Sequence, residues 1–185
     1  MMPKPFGNQP GSGMHFHVSL WSGWNPKRPD NAQNVFVPHR GDGSVDYERS
    51  LSPTGRHFIA GVLAHAGALT ALAAPTVNSY KRLRVGPSLS GTSWAPAYVA
   101  QGPNNRTAAL RTLHGRFEWR VPDASANPYL ATAALIAAGL DGVDRKLEPP
   151  PDCSEDLFEL SLAQIRERGI ALLPQSLAEA IDALE

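Results

Sequence analysis

Cysteine, long apolar runs and a secretion signal are all scarce or missing in this sequence. One cysteine, Cys153, among 185 residues excludes an intramolecular disulfide and a zinc site built from several cysteines, and it is typical of a reducing compartment. No apolar run approaches the roughly 20 residues that a membrane-spanning helix needs. The opening segment MMPKPFGNQPG lacks the apolar stretch of a signal peptide. These absences predict a soluble, cytoplasmic protein.

The sequence also has no excess of charge of either sign. Its 17 Lys and Arg residues balance 17 Asp and Glu residues, so no overall field attracts nucleic acid or an anionic membrane, and neither is expected as a partner. Any phosphate must therefore be bound by locally clustered arginines. The P-loop pattern and the G-x-G-x-x-G dinucleotide pattern are missing as well. A nucleotide site in this chain must be of another kind.

Strand and helix signals follow one another without regular alternation. With 42% hydrophobic residues the chain is suited to one globular domain. The patterns predict a helix from Ser52-Pro53 to Pro75, a second from Asn127-Pro128 to the EPPP segment, and two short helices opened by capping boxes at Ser161 and Ser176. Strands are predicted in GSGMHFHVSLW, NVFVPHR, AYVAQ, RTAALRT and GRFEWRVPD. Together these elements predict the α+β fold class.

The segment GSGMHFHVSLW alternates strictly between polar and apolar side chains. His15, His17 and Ser19 lie on one face of the predicted strand, opposite the apolar residues Met14, Phe16, Val18 and Leu20. Alternate residues on a strand lie roughly 6.5–7 Å apart, which suits one histidine on a metal ion and the next on an adjacent phosphate. The other interpretation is a half-exposed strand whose polar side happens to contain two histidines.

The segment GRFEWRVPD carries a second candidate group. Arg116, Glu118 and Arg120 share one face of this predicted strand. Glu118 is a poor metal ligand if the arginines fold onto it, and a good one if they point at phosphate and a substrate carboxylate. A surface strand with paired charges is the alternative. The remaining cations favour a local polyanion site for metal-nucleotide chemistry, and they are Lys81, Arg82, Arg84, Arg106 and Arg111.

Four long motifs, in order along nearly the whole chain, resemble those of the glutamine synthetases. GSGMHFHVSLW is similar to the family's G-S-G-M-H-x-H segment, APTVNSYKRL to its N-S-Y-K-R-L segment, and NNRTAALR to its N-R-[ST]-x-x-x-R segment. RFEWRVPDASANPYLATAALIAAGLDG resembles the R-x-E-x-R-x-P-D…N-P-Y-L stretch. Within the family, RLRVGPSLSGTSWAP and GRFEWRVPD look most like the type III or GlnT-like branch, which overlaps the glutamate–methylamine ligases. The resemblance implies part of the family's catalytic domain, a curved antiparallel sheet packed with helices.

The resemblance implies a role for particular residues. A divalent ion, Mg²⁺ or Mn²⁺, would be bound by His15 and Glu118. ATP would be bound by a larger set, namely His17, Ser19, Arg106, Arg111 and Arg116. Glutamate would be bound by Gly11, Arg82 and Arg120. Arg106 and Arg120 would also take part in catalysis.

The implied reaction is ATP-dependent amide ligation. The γ-carboxylate of glutamate attacks the terminal phosphate of ATP and releases ADP to give γ-glutamyl phosphate, from which ammonia or a small amine such as methylamine displaces phosphate. Phosphorylation is required because a carboxylate is a very poor acyl donor. The cations neutralise the charge that builds on the transferring group, and a closed site keeps water away from the acyl phosphate.

Two positions depart from the family pattern. The family's mobile loop reads G-Y-E-A-P, with a glutamate that takes a proton from ammonium, whereas GPSLSGTSWAP has Trp94 at that place. Trp94 favours methylamine, whose ammonium form an indole attracts by a cation–π interaction. Phe158, in EDLFELS, stands where the family's adenylylated tyrosine stands. Since phenylalanine has no hydroxyl, that form of control is expected to be absent.

The family's remaining acidic metal ligands and its small N-terminal domain precede the H-x-H segment. Residues 1–185 are therefore expected to be a partial catalytic domain that is inactive alone, because Mg²⁺ and Mn²⁺ prefer several oxygen ligands. The full-length protein is expected to form a homo-oligomer of stacked rings. The main alternative is a non-catalytic, truncated domain that serves only in binding or assembly. Barrel metal hydrolases and cupins that use H-x-H are disfavoured, since their further His and acidic ligands have no counterparts here.

Overall fold

The computed structural model describes residues 2–85 and 95–185. The helices are α1 (Pro53–Ala64), α2 (Ala66–Ala73), α3 (Pro128–Asp144), α4 (Leu162–Glu167) and α5 (Leu177–Asp182). The strands are β1 (Phe16–Val18), β2 (Trp21–Ser22), β3 (Gln33–Asn34), β4 (Tyr98–Val99), β5 (Gln101–Pro103), β6 (Leu110–Leu113), β7 (Arg116–Trp119) and β8 (Ala171–Leu172). No helix in the described ranges has both the length and the apolar character needed to cross a membrane.

The main sheet has four strands in the order β1-β7-β6-β5. Strands β1 and β6 pair with β7 in antiparallel fashion, and β5 pairs with β6 in parallel. Two further antiparallel pairs, β2 with β3 and β4 with β8, lie outside this sheet. The α+β prediction is confirmed, with one parallel pairing in an otherwise antiparallel sheet.

One face of the β1–β7 ladder packs on the core. Phe117, Trp119 and Val121 are all buried in the main hydrophobic cluster, and Phe16 and Val18 pack against it. Along residues 11–20 every second residue is half-buried and the ones between are exposed, as the alternation in the sequence predicts. The polar face of the same ladder is therefore the one that is left for a site.

The helix starts follow the capping chemistry of the sequence. The Ser52 hydroxyl accepts a hydrogen bond from the Gly55 amide, and the Asn127 side chain accepts from the amides of Tyr129 and Leu130. The capping box at Ser161 is complete. The one predicted at Ser176 is half formed, because the Glu179 carboxylate accepts from the preceding amide, that of Gln175, at 2.8 Å.

Several predicted elements are shorter in the structure, and two of them depart from the prediction for an identifiable reason. The helix predicted from Ser52 to Pro75 is two helices, broken at His65, whose Nε2 lies 2.8 Å from Asp141 Oδ2 on α3. The predicted strand NVFVPHR is reduced to the end of β3 and an isolated bridge at His39. The Asn34 side chain accepts the Phe36 amide hydrogen and so turns the chain away from the ladder.

Helices α1 and α3 cross where both present glycine. A Cβ added to Gly61 would lie 2.1 Å from the Ala138 carbonyl oxygen, and one added to Gly142 would lie 2.2 Å from the His57 carbonyl oxygen. Both obstacles are backbone atoms, which cannot move without displacing a whole helix. The close crossing therefore depends on the absence of side chains at these two positions.

Replacing Gly61 with alanine is expected to lower the free energy of unfolding by about 2 kcal/mol or more, since the added methyl group forces the two helices apart. The measurement is urea denaturation of the purified chain. Gly41→Ala is the matched control, because a Cβ there meets nothing within 4 Å, and its effect should stay within about 0.5 kcal/mol. Equal stability of the two variants would contradict the close crossing.

Candidate active site

Glu118 lies at the centre of the polar face of the sheet. Its strand, β7, is between β1 and β6, and the register places His17 directly opposite Glu118 on one side and Arg111 on the other. Cross-strand partners on one face have their side chains within contact distance. The pairing of three separate segments of chain thus brings two cations or potential cations to one carboxylate.

The Glu118 carboxylate is buried and accepts hydrogen bonds from several sides. Its side chain is 5% exposed. Oε1 lies 2.8 Å from His15 Nδ1 and 2.9 Å from Arg120 NH1, and Oε2 lies 3.2 Å from Arg111 NH1. His17 Nε2 is more distant, at 3.9 Å from Oε1. The arginines therefore fold onto Glu118, which the sequence analysis gave as the less favourable arrangement for a metal ligand.

The electrostatic balance at this centre favours an ionised glutamate and a neutral histidine. Burial raises the pKa of Glu118, but the charge of Arg120, the hydrogen bonds from Arg111 and Arg120, and His15 together hold it below its usual value. Burial and then the positive charge of Arg120 lower the pKa of His15, against the opposing effect of Glu118. A neutral imidazole keeps one ring nitrogen available as a ligand.

Arg82 lies beside this centre and is itself buried, at 6% exposure. NH1 donates to the Val121 carbonyl oxygen at 2.7 Å and NH2 donates to the Arg120 carbonyl oxygen at 2.8 Å. Gly13, in the Gly-Ser-Gly turn, makes room for it, since a Cβ there would lie 3.1 Å from Arg82 NH2. A Cβ on Gly11 would be in ordinary contact with Arg82 Cδ, at 3.5 Å, and would instead clash with the Pro3 carbonyl oxygen, at 2.5 Å.

The other predicted site residues lie further out. Arg116 NH1 contacts His17 Nδ1 at 2.5 Å, and both side chains are exposed. Ser19 is exposed, and its hydroxyl accepts from the Trp21 indole at 2.9 Å. Arg106 is exposed in the loop between β5 and β6. The structure thus joins His15, His17, Arg111, Glu118 and Arg120 in one cluster, flanked by Gly11 and Arg82, and places Ser19, Arg106 and Arg116 at the surface.

The donor set accounts for only part of a divalent-metal site. His15 and Glu118 are adjacent, but residues 2–85 and 95–185 contain no cluster of three or more His, Cys, Asp or Glu side chains that could hold an ion. Mg²⁺ and Mn²⁺ prefer about six ligands, most of them oxygens. The chemistry of His15 and Glu118 fits such an ion only if further ligands join them.

Arginine guanidiniums are the side chains best suited to binding phosphate and carboxylate groups, and here Arg111 and Arg120 lie against Glu118 beside His15. The sequence profile described as "Glutamine synthetase, catalytic domain" matches residues 1–185. The chain belongs to the glutamine synthetase family.

Individual relatives agree with this assignment. A glutamate–methylamine ligase from Methyloversatilis universalis is 50% identical over 184 residues, which cover 100% of this chain and 39% of that protein. A glutamine synthetase from Pyrococcus abyssi is 44% identical over 189 residues, covering 100% of this chain and 38% of that protein. A solved structure, "GmaS/ADP complex-Conformation 1", superimposes with a TM-score of 0.80 at 38% identity, over 99% of this chain and 39% of the other. The chain spans about two fifths of the length of these relatives.

Sequence reasoning missed three residues at this site. Asp123 is completely buried close to Arg82, Asn104 accepts from Arg111 Nε at 2.9 Å, and Gly13 leaves the space that His15 and Arg82 occupy. The pair Asn104-Asn105 was a usable signal, because asparagine tolerates the positive φ of 53° found at Asn104. Trp94, the residue predicted to meet the amine, lies outside the described residues.

The lowered pKa of His15 predicts a stability that depends on pH. Below the ordinary histidine value of 6.5 the unfolded chain takes up a proton that the folded chain resists, so stability present above pH 6.5 is lost as the pH falls towards the folded-state pKa. Urea denaturation at a series of pH values between 5 and 8 is the measurement. His15→Asn is expected to flatten the dependence of the free energy of unfolding on pH in this range. An unchanged dependence would contradict the lowered pKa of His15 as its cause.

Proposed function

We propose that the longer protein to which this chain belongs is an ATP-dependent glutamate–amine ligase. It forms γ-glutamyl phosphate and ADP from glutamate and ATP, and then an amide and inorganic phosphate from the acyl phosphate and a small amine. The observation that carries the proposal is the buried Glu118 on β7, in contact with His15 just before β1, Arg111 on β6 and Arg120 just after β7. Membership of a family whose named relatives are ligases supports it.

Within this proposal His15 and Glu118 are two ligands of a Mg²⁺ or Mn²⁺ ion. When bound, the ion withdraws charge from the transferring phosphoryl group. Upstream acidic strands of the longer protein supply the remaining ligands, and residues 1–185 are part of its catalytic domain. The neutral state favoured for His15 supports its role, because only an unprotonated imidazole nitrogen binds a metal.

The arginines divide the anionic groups of the substrates between them. Arg82 and Arg120, with the Gly11 backbone, hold the carboxylates of glutamate. ATP is bound by His17, Ser19 and three arginines, namely Arg106, Arg111 and Arg116. Arg106 and Arg120 also act on the transferring phosphoryl group. Substrate binding then replaces some of the present contacts of Arg111 and Arg120 with Glu118 by contacts with phosphate and carboxylate.

Methylamine is the proposed amine in preference to ammonia. Supporting this choice are the 50% identity to a glutamate–methylamine ligase, against 44% for a glutamine synthetase, and Trp94 in place of the family's loop glutamate. An indole offers the methylammonium ion a cation–π contact. Competition between methylamine and ammonia in one reaction, with both amides quantified, tests the choice. A strong excess of glutamine among the products would contradict it.

Residues 1–185 alone are expected to make no γ-glutamyl product, since two ligands do not complete the metal site. The test compares this chain with the full-length protein, assembled as a homo-oligomer, in an assay of ATP-dependent γ-glutamyl amide formation. Full-length protein carrying Glu159→Gln, at an exposed position, is the control. It should keep its activity through the same purification and assay. Turnover by the chain alone would contradict the incomplete site.

A non-catalytic binding or assembly module is the second candidate. The observation in its favour is that Arg111 and Arg120 donate to Glu118 and so compete with a metal ion for its oxygens. Titration of Mn²⁺ into full-length protein, followed by electron paramagnetic resonance, separates the two. Mn²⁺ binding that Glu118→Gln abolishes supports the ligase. Absence of binding by the unmodified protein supports the module.

A further inference from the structure

We propose that Asp123 is a positioning residue, the buried counter-charge that fixes Arg82 for binding a carboxylate of glutamate. This inference rests on the proposed function. The Asp123 carboxylate is outside the cluster around Glu118. It acts on the substrate only through Arg82.

Arg82 needs a counter-charge. Its guanidinium is buried, and its two defined acceptors, the carbonyl oxygens of Val121 and Arg120, are neutral. Burial lowers the pKa of Arg82 to about 10, and the positive charge of Arg120 acts in the same direction. A buried cation without compensation is strongly destabilised.

Asp123 supplies this charge. It is 0% exposed, it follows directly after the segment whose Arg120 and Val121 carbonyl oxygens accept from Arg82, and its negative charge opposes the lowering of the pKa of Arg82 by burial. Its backbone fixes it at the end of the site, since it bridges Gly13 and donates to the Ala73 carbonyl oxygen at 3.1 Å. Oδ1 accepts from the Ser125 amide at 2.8 Å, whereas Oδ2 has no partner among the described residues. One carboxylate oxygen thus lies in the interior without a hydrogen-bond donor of its own among the described residues.

Arg82 connects Asp123 to the substrate. The contacts to Val121 and Arg120 use one N–H of each terminal nitrogen, and a guanidinium has five N–H donors. NH2 lies 3.1 Å from the place where a Gly13 Cβ would stand, next to His15 Nε2 at 2.8 Å from the same point. The space kept open by Gly13 is therefore where Arg82 and His15 both border the site.

The test is the Asp123→Asn variant of the full-length protein, assayed for γ-glutamyl amide formation. Asparagine preserves the shape and removes the charge. The expected result is a glutamate KM raised by about tenfold, with the ATP KM and kcat each changed less than about threefold, because glutamate binding alone depends on Arg82. Asp123→Glu restores the charge with one extra methylene, and its glutamate KM should lie between those of the other two proteins.

Tyr80→Phe is the matched control. Tyr80 is buried beside Asp123, and its hydroxyl has no partner among the described residues, so its removal takes away no charge and no hydrogen bond. The glutamate KM of this variant should stay within twofold. Equal increases for Asp123→Asn and Asp123→Glu, or parallel changes in the glutamate and ATP KM, indicate a structural role and overturn the inference.

The same assay distinguishes failure of the inference from failure of the proposed function. If unmodified full-length protein forms amide and Asp123→Asn keeps its glutamate KM, only the role of Asp123 is wrong. If the unmodified protein forms no γ-glutamyl product, both the proposed function and the role of Asp123 are wrong. Should Asp123→Asn fail to fold, the comparison of Asp123→Glu with Tyr80→Phe decides: a raised glutamate KM in the first alone supports the inference, and equal values overturn it.

Discussion

Replacing Glu118 with glutamine is expected to lower amide formation by the full-length protein by about a thousandfold or more. Glutamine has the same size, but it offers a metal ion a neutral oxygen instead of a charged one, and loss of the ion's charge stabilisation costs several kcal/mol. The rate should fall in kcat, since the ion acts on the transferring phosphoryl group. Initial rates at saturating ATP and glutamate are the measurement.

Glu118→Ala is also expected to lower the free energy of unfolding, which can be measured on residues 1–185 alone. Arg120, 6% exposed, and Arg111, 19% exposed, lose their shared carboxylate, and breaking a buried ion pair typically costs about 3 kcal/mol. Urea denaturation measures the loss, with exposed Glu159→Gln as control. If Glu118→Gln retains full activity, or if Glu118→Ala leaves stability unchanged, Glu118 is not the centre of this site.

Gly13→Ala is expected to lower kcat/KM about a hundredfold while leaving the fold intact. The added Cβ would lie 2.8 Å from His15 Nε2 and 3.1 Å from Arg82 NH2, so both side chains must move. A displacement of about 1 Å in a catalytic group costs on the order of 10²-fold in rate. The obstacles are the ends of side chains, which can shift without unfolding the chain.

Gly61→Ala and Gly13→Ala are expected to affect different quantities, the first stability and the second activity. At Gly61 the obstacle is backbone, so stability should fall, whereas at Gly13 activity should fall with a change of less than about 1 kcal/mol in the free energy of unfolding. Gly41→Ala is expected to change neither quantity appreciably. A Gly13→Ala enzyme with normal kcat/KM would contradict the placement of His15 and Arg82 on either side of this glycine.

The parts of the fold that sequence predicted are those fixed by local chemistry. The cap at Ser52 depends on groups within three residues, and the alternation through His15 and His17 depends only on the two-residue period of a strand. The break at His65 was not predicted, because it accompanies a contact with Asp141, 76 residues away. Likewise, the crossing of α1 and α3 at their glycines was not predicted, because the local sequence does not show which helices pack together.

In the candidate site, too, the features set by local sequence were predictable and those that depend on distant contacts were not. Strand alternation placed Glu118 and Arg120 on one face, but it could not decide whether the arginine would fold onto the carboxylate. That outcome depends on the registers of β1, β6 and β7, which bring Arg111 and His17 level with Glu118. Asp123 escaped notice because its importance lies in its burial beside Arg82, 41 positions earlier in the sequence, and burial of a lone aspartate has no local sequence signal.

Transfer of an oxygen atom tests the central claim most directly. The full-length protein is incubated with ATP, Mg²⁺, methylamine and glutamate labelled with ¹⁸O in its γ-carboxylate, and the released phosphate is analysed by mass spectrometry. Formation of γ-glutamyl phosphate predicts one ¹⁸O atom in each phosphate released with amide, and no labelled phosphate from the Glu118→Gln variant. Amide formation with unlabelled phosphate, or label transfer that persists without Glu118, would contradict the account.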